Sequence, residues 1–213
     1  MNRISTAILV GVAGVAFVLG QSIRPNLAVA VGLAAVEGGQ PEGEMDPMMV
    51  AMMEAGTPGE HHKHLNLMVG TWEGTMKWTP APGAQAMEFP GIATREWVLD
   101  GRYLREVVKS QGAGGMAYEG IGYTGYNNLD HRYETTWMDS MSTAIFPGHG
   151  TFNPANNVLS FYSEMRDPAT GRMVTCWGEM DMSNANRHVM KGWCHAEDGS
   201  VFQNAEGVFT RRR

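Results

Sequence analysis

Residues 176–194, CWGEMDMSNANRHVMKGWC, read almost the same from either end. Folding this stretch back about Ala185 as an antiparallel hairpin opposes five matched pairs: Cys176 with Cys194, Trp177 with Trp193, Gly178 with Gly192, Glu179 with Lys191, and Met180 with Met190. Aromatic pairs and opposite charges stabilise a hairpin when they face each other across two strands. Asparagine tolerates the left-handed backbone of tight turns, so the three residues 184–186 are expected to form the turn.

This hairpin also predicts the redox state of the chain. Cys176 and Cys194 are its two cysteines, and directly opposed β-carbons lie near the distance that a disulfide needs. We therefore expect a disulfide, which indicates an oxidising compartment. A redox-active pair is the alternative, but the two-residue spacing of such motifs is absent.

The same register sorts side chains between two faces. The cysteines, glycines and methionines share one face, while the tryptophans, Glu179, Lys191 and His195 share the other. We expect the first face to line an interior, because Glu179 and Lys191 are better solvated outside. The inverse arrangement remains open at this point.

The N-terminal region has the pattern of a targeting segment. Arg3 precedes the apolar run 7–20, and Ala-Val-Ala at 28–30 matches a signal-peptidase site. The sequence thus predicts a signal peptide over 1–30, a flexible linker over 31–45, and an exported protein, periplasmic or secreted, that is soluble once cleaved. An uncleaved anchor is the alternative. The net charge of −6 argues against a nucleic-acid partner.

Two short helices are predicted over 46–69. Asp46 is a good N-cap, Pro47 suits the first helical position, and Gly56 ends the first helix. The methionines of this helix form one apolar stripe, which either packs on the protein or, as soft thioethers, binds copper(I). We expect the helical segment to cover a barrel end through four side chains: Met48, Met52, Leu65 and Met68.

From residue 70 to 213 the pattern is that of short strands separated by turns. Trp72, Met76 and Trp78 alternate with polar residues. About ten such runs follow one another; the sixth is Ser-Thr-Ala-Ile-Phe at 142–146. Antiparallel strands joined by short turns predict an all-β up-and-down barrel of about ten strands.

Several segments resemble a bacterial family known only as domain of unknown function 1579. They are His62-Lys63, Leu65, Met68-Val69-Gly70, Trp72, and the stretches 122–143, 150–161, 167–172 and 208–211. This resemblance implies an exported, lipocalin-like protein and brings no activity with it. The Gly70-Thr71-Trp72-x-Gly74 segment is also similar to the opening of calycin barrels, a group that includes lipocalins, fatty-acid-binding proteins and haem-binding nitrobindins.

A calycin-like barrel suggests a small apolar ligand, bound without catalysis and with no cofactor. The candidate pocket residues are Trp72, Met76, Trp97, Tyr123, Trp137 and Phe161. A barrel interior can equally be filled by its own side chains, so a cavity and a solid core both remain open. Asp139 and Ser140 lack the surroundings of a nucleophile, and we interpret them as caps of local backbone amides.

The alternative function is a metal- or haem-binding barrel that uses histidines. His61 and His64 share a helix face beside His62, but no further ligand follows at a zinc-type spacing. A haem would need one axial histidine, for which His149, His188 and His195 are candidates.

Overall fold

A computed structural model describes residues 45–112, 115, 117–167 and 170–213. The predicted signal peptide and all but the last residue of the predicted linker lie outside the described residues. Two helices, a 3₁₀ turn and ten strands follow in chain order: α1 Pro47–Gly56, α2 Glu60–His64, the 3₁₀ turn Leu65–Leu67, β1 Gly70–Trp78, β2 Met87–Val98, β3 Tyr103–Gln111, β4 Ala117–Asn127, β5 Arg132–Asp139, β6 Phe146–Asn153, β7 Val158–Arg166, β8 Met173–Asn184, β9 Arg187–His195 and β10 Val201–Arg211.

The ten strands form a closed antiparallel barrel. Each strand pairs with its neighbour in sequence, and β1 pairs with β10 to close the wall. This confirms the predicted up-and-down barrel. Closure also pairs the strand edges that an open sheet would expose.

The β8–β9 hairpin has the predicted register. All five pairs from Cys176↔Cys194 to Met180↔Met190 are present, and the two cysteines form a disulfide. The turn differs from the prediction: the register shifts after Asp181, and Asn184 pairs with Arg187. The side chain of Asp181 accepts a hydrogen bond from the Ser183 amide at 2.9 Å, which accommodates the irregularity and leaves a two-residue turn.

The predicted sorting of faces is also confirmed. Cys176, Met180 and Cys194 are buried, whereas Glu179 and Lys191 are exposed. The alternation therefore identifies the inward positions of β8 and β9, and the strand pairing extends this assignment around the wall.

One end of the barrel, which we call the packed end, is filled by side chains. Its core contains Leu65, Met68, Leu104, Tyr133, Leu159, Met180 and Met182. Leu65 is fully buried, and the Nε1–H of the buried Trp72 donates to the Met68 carbonyl oxygen at 2.7 Å. The 3₁₀ turn and the residue after it thus contribute Leu65 and Met68 to this core.

Helix α1 does not cover the barrel as predicted. Met48 is 69% exposed and Met52 is 63% exposed, and no residue of α1 is buried. The helix is nevertheless capped: the Asp46 carboxylate accepts from the Met48 amide at 2.7 Å, and the Asn128 amide donates to the Ala55 carbonyl oxygen at 3.0 Å. An apolar stripe specifies a common face but does not specify the surface that the face meets.

The sixth strand lies later in the chain than predicted. Residues 142–145 form an exposed connection, and β6 begins at Phe146. The strand β6 contains Pro147, Gly148 and Gly150, which are poor strand formers. The sequence pattern therefore did not predict a strand at this position. A β-carbon on Gly150 would lie 2.1 Å from the Ser160 carbonyl oxygen, so close backbone contact with β7 favours glycine here.

Candidate functional site

The inward-facing side chains differ in exposure along the barrel. At the packed end, Trp72, Leu104 and Tyr133 are at most 2% exposed. Towards the opposite end the inward Cys176 and Cys194 are buried, but several other inward side chains are only half-buried: Met76, Phe89, Tyr118, Trp137, Asp139, Phe161 and Ser163. We call the part of the interior that these partly exposed side chains line the open half.

Two aromatic rings of the open half lie against glycines of the wall. A β-carbon on Gly120 would be 2.2 Å from Cζ2 of Trp137, and one on Gly178 would be 2.5 Å from Cζ of Phe161. The aromatic rings therefore occupy the space that side chains at these two glycine positions would fill. The Trp137 ring spans both Gly120 and Gly122 of β4, whereas the tip of the Phe161 ring lies at Gly178.

Asp139 stands beside Trp137 at the end of β5. Its Oδ2 accepts from Trp137 Nε1–H at 3.1 Å, and its Oδ1 accepts from the Met141 amide at 2.9 Å. The neighbouring Ser140 Oγ accepts from the Glu119 amide at 3.1 Å. The predicted local capping role of Asp139 is therefore confirmed, whereas Ser140 binds an amide on the neighbouring strand β4 and does not cap a local one.

Tyr118 belongs to the same group of side chains. Burial raises the pKa of Tyr118 to about 12, and the negative charge of Asp139 adds to this rise. The phenol is consequently neutral at physiological pH and can donate a hydrogen bond.

An ion pair marks the boundary between the packed end and the open half. Arg95 Nε donates to Glu106 Oε1 at 2.8 Å, and Arg95 Nη2 lies 2.7 Å from the same oxygen. The Arg95 side chain is 2% exposed and that of Glu106 is 23% exposed. Arg95 Nη1 has no hydrogen-bond partner in the described part of the chain, which is uncommon for a buried polar group.

His188 lies at the packed end, stacked on Trp72 with 3.9 Å between ring centroids. It is fully buried, and neither ring nitrogen has a hydrogen-bond partner among the described residues. Burial lowers the pKa of His188 to about 4, with further lowering from the positive charges of Arg95 and Arg211. The imidazole is therefore neutral at pH 7.

The six predicted pocket residues fall into three places. Met76, Trp137 and Phe161 face the open half. Trp72 lies in the packed end, where Trp97 also packs against the core and donates to Asn66 Oδ1 at 2.8 Å. Tyr123 lies on the outer face of β4, because its neighbours Gly122 and Thr124 occupy inward positions.

Sequence reasoning missed Tyr118, Glu106 and the inward direction of Asp139. Strand alternation from Trp137 places Asp139 on the same face, and this signal was present in the sequence. The inward position of Glu106 depends on its pairing with Gly122, which the sequence did not reveal.

The three neighbouring histidines lie against aromatic side chains of the packed end, and the rings of His61 and His64 meet edge to face with 5.7 Å between centroids. His61 stacks on Tyr126 at 4.2 Å, and His62 Nδ1 accepts from the Gly59 amide at 3.0 Å. His64 Nδ1 is 2.8 Å from the Tyr133 hydroxyl. Over residues 45–112, 115, 117–167 and 170–213, no group of three or more His, Cys, Asp or Glu side chains could hold a metal ion.

None of the three haem-ligand candidates faces the open half. His149 and His195 are exposed on the outer wall, and His188 is enclosed at the packed end. Separately, no helix in the described part of the chain has the length and apolar character needed to cross a membrane.

Two depressions lie outside the barrel lumen. One, of about 460 Å³, is bounded by α1 and the α1–α2 connection, including Met53 and Pro58. The other, of about 330 Å³, lies on the outer wall around Tyr162 and Trp177. The second is a competing location for a small ligand.

The closed barrel, the 3₁₀ turn before β1 and the buried Trp72 define a calycin-like antiparallel barrel. The family described as "Protein of unknown function (DUF1579)" matches residues 57–211. The chain belongs to this family.

Two solved structures share the fold. The S-type phycobiliprotein lyase CPES from Guillardia theta is 11% identical, with a TM-score of 0.52 over 75% of this chain and 96% of that chain. Rv2717c from M. tuberculosis is 14% identical, with a TM-score of 0.54 over 74% of this chain and 100% of that chain. A comparison with curated proteins gives no match.

Proposed function

We propose that the barrel binds a small, mostly apolar molecule in the open half of its interior, without catalysis. One observation supports this most strongly: the inward rings of Phe89, Tyr118, Trp137 and Phe161 remain half-buried in the open half, while Trp72, Leu104 and Tyr133 at the packed end are at most 2% exposed. Covering exposed apolar surface with a ligand favours binding, by about 25 cal/mol per Å² of surface removed from water.

The composition of the open half matches that of small-molecule sites. Such sites combine apolar and aromatic walls with a few polar groups that orient the ligand. Here Met76, Trp137 and Phe161 supply apolar surface, while Asp139 and Tyr118 supply polar atoms.

The test is binding of diphenylhexatriene, a neutral apolar dye that fluoresces in apolar surroundings, to the full chain. Ser163 faces the open half from β7, whereas Ser160 lies on the outer face of the same strand. The bulky side chain of Ser163→Trp is expected to abolish saturable binding. The matched variant Ser160→Trp is expected to retain it.

Equal binding by Ser163→Trp, Ser160→Trp and the unaltered chain would reject the interior site, provided both variants give the circular dichroism of the unaltered barrel. Loss of binding in Ser160→Trp alone would assign the dye to the outer depression near Tyr162.

We also propose that the protein is exported after removal of residues 1–30, to a periplasmic or extracellular location. The Cys176–Cys194 disulfide supports this proposal, because structural disulfides are typical of oxidising compartments. The intact mass of protein isolated from its own host tests it. A mass that includes residues 1–30 would contradict the proposed cleavage.

A further inference from the structure

The inward side chains of the open half carry more negative than positive charge. Its inward strand positions carry Glu106 and Asp139, with Arg95 beside Glu106. Arg95 and Glu106 are paired with each other and offset one another's charge, so Asp139 carries the net negative charge of these three residues.

Asp139 forms no ion pair with any residue that the structure describes. Its hydrogen-bond donors are all neutral: the Trp137 indole, the Met141 amide and the Tyr118 hydroxyl. No lysine or arginine within the described ranges forms an ion pair with it. A half-buried carboxylate held only by neutral donors attracts a positive group.

The indole of Trp137 has one carboxylate, that of Asp139, at its N–H edge. Asp139 accepts its N–H, and Glu106 lies in the same cross-strand row, separated from Trp137 only by Gly122. Gly122 has no side chain to separate the ring from Glu106. The free ring face carries the negative part of the aromatic quadrupole, which attracts cations, and tryptophan does so most strongly.

Further aromatic side chains extend this surface. Phe89 and Tyr118 have ring centroids 5.8 Å apart, and Phe161 lies against Gly178 on the wall. An aromatic lining with a carboxylate at its edge is the chemistry that binds quaternary ammonium groups.

We propose that the ligand is an organic cation, with an apolar body in the open half and an ammonium group between the Trp137 ring face and the Asp139 carboxylate. This inference rests on the proposed function and specifies its ligand class. Because Asp139 is the last residue of β5, the cationic group sits at the rim and the apolar body points inward.

Three dyes with one hydrocarbon body test this proposal on the full chain: trimethylammonium-diphenylhexatriene, neutral diphenylhexatriene and diphenylhexatriene propionic acid. The cationic dye is expected to bind about tenfold more tightly than the neutral dye, the scale of a desolvated cation–π contact. The anionic dye is expected to bind most weakly.

Asp139→Asn keeps an acceptor for the Trp137 N–H and removes the charge. It is expected to abolish the preference for the cationic dye, so that the about tenfold ratio between the Kd values of the neutral and cationic dyes falls to about one. Glu164→Gln is the matched control, since Glu164 is exposed on the outer face of β7. It makes the same charge change and is expected to keep the preference.

The outcomes separate the two proposals. Equal affinities for the three dyes, or tightest binding of the anion, would overturn the cation inference and leave the proposed function standing. Absence of binding by all three would overturn the proposed function and this inference with it. Retention of the preference in Asp139→Asn would reject the assigned carboxylate.

Discussion

The guanidinium of Arg211, near the end of the last strand, lies 4.2 Å from the ring centroid of Trp72 on the first strand. Arg211 also donates to the carbonyl oxygens of Leu67, Val69 and Ala185. One side chain thus joins the 3₁₀ turn, the barrel closure and the β8–β9 turn. Gly70 has a φ of 122°, and a β-carbon there would lie 2.6 Å from Arg211 Nη1.

Arg211→Ala is therefore expected to lower the free energy of unfolding by about 2–4 kcal/mol, because it removes a cation–π contact and several charge-assisted hydrogen bonds. Urea unfolding measures this loss. Arg213→Ala, at the exposed C-terminus, is the control and should leave the midpoint unchanged. Similar midpoints for the two variants would contradict the role of Arg211.

His188 predicts a loss of stability in mild acid. Its pKa in the folded protein, about 4, is below its ordinary value of 6.5, so the unfolded chain binds the proton first as the pH falls. The neutral His188 therefore contributes fully to the free energy of unfolding above pH 6.5. This contribution falls by about 2 kcal/mol by pH 5 and by about 3 kcal/mol in total once the pH is below about 4.

Urea unfolding of His188→Phe at pH 7 and pH 5 tests this prediction. Phe preserves an aromatic ring beside Trp72 and is expected to remove this part of the pH dependence. Burial also lowers the pKa of His62 and His64, so some dependence remains in the variant. His149→Phe, on the outer wall, should behave like the unaltered protein. An unchanged pH dependence in His188→Phe would contradict the prediction.

Gly120→Ala is expected to displace the Trp137 ring, because its β-carbon would lie 2.2 Å from that ring. The overpacking should cost about 1–3 kcal/mol and alter the near-UV circular dichroism. Gly56→Ala is the control, since no atom lies within 4 Å of its added β-carbon. Equal effects of the two substitutions would show that Trp137 does not lie flat against β4.

Reduction of the Cys176–Cys194 disulfide is expected to destabilise the barrel without unfolding it at 25 °C. The bond closes a loop with a sequence separation of 18, and loops of this size contribute about 3 kcal/mol. Urea unfolding with and without a reductant measures the difference. A variant in which both cysteines are alanine should not respond to the reductant. No change in the unaltered chain would contradict the prediction.

The fold could be predicted largely because the matched residue pairs on either side of Ala185 indicate which residues of the hairpin face each other. Once Glu179 faces Lys191, alternation decides which side of both strands is buried. The strand around Gly148 was harder to find, since backbone contact across β6 and β7 is not visible as a pattern in one sequence.

The candidate site could be predicted only in part. Trp137 and Phe161 were found because large apolar residues in strands tend to face an interior. Tyr123 was misplaced relative to that interior because aromatic residues also occupy outer positions of β4. Met48 and Met52 show the same limit: a shared helix face is a local property, whereas its burial depends on distant residues.

The central claim is that a small apolar molecule occupies the open half of the barrel. A crystal structure with 2-bromonaphthalene, located by the anomalous scattering of its bromine, tests this claim most directly. Our account predicts bromine density inside the barrel between Trp137 and Phe161. Density confined to the outer depression beside Tyr162 and Trp177, or an interior filled by the protein's own side chains, would contradict it.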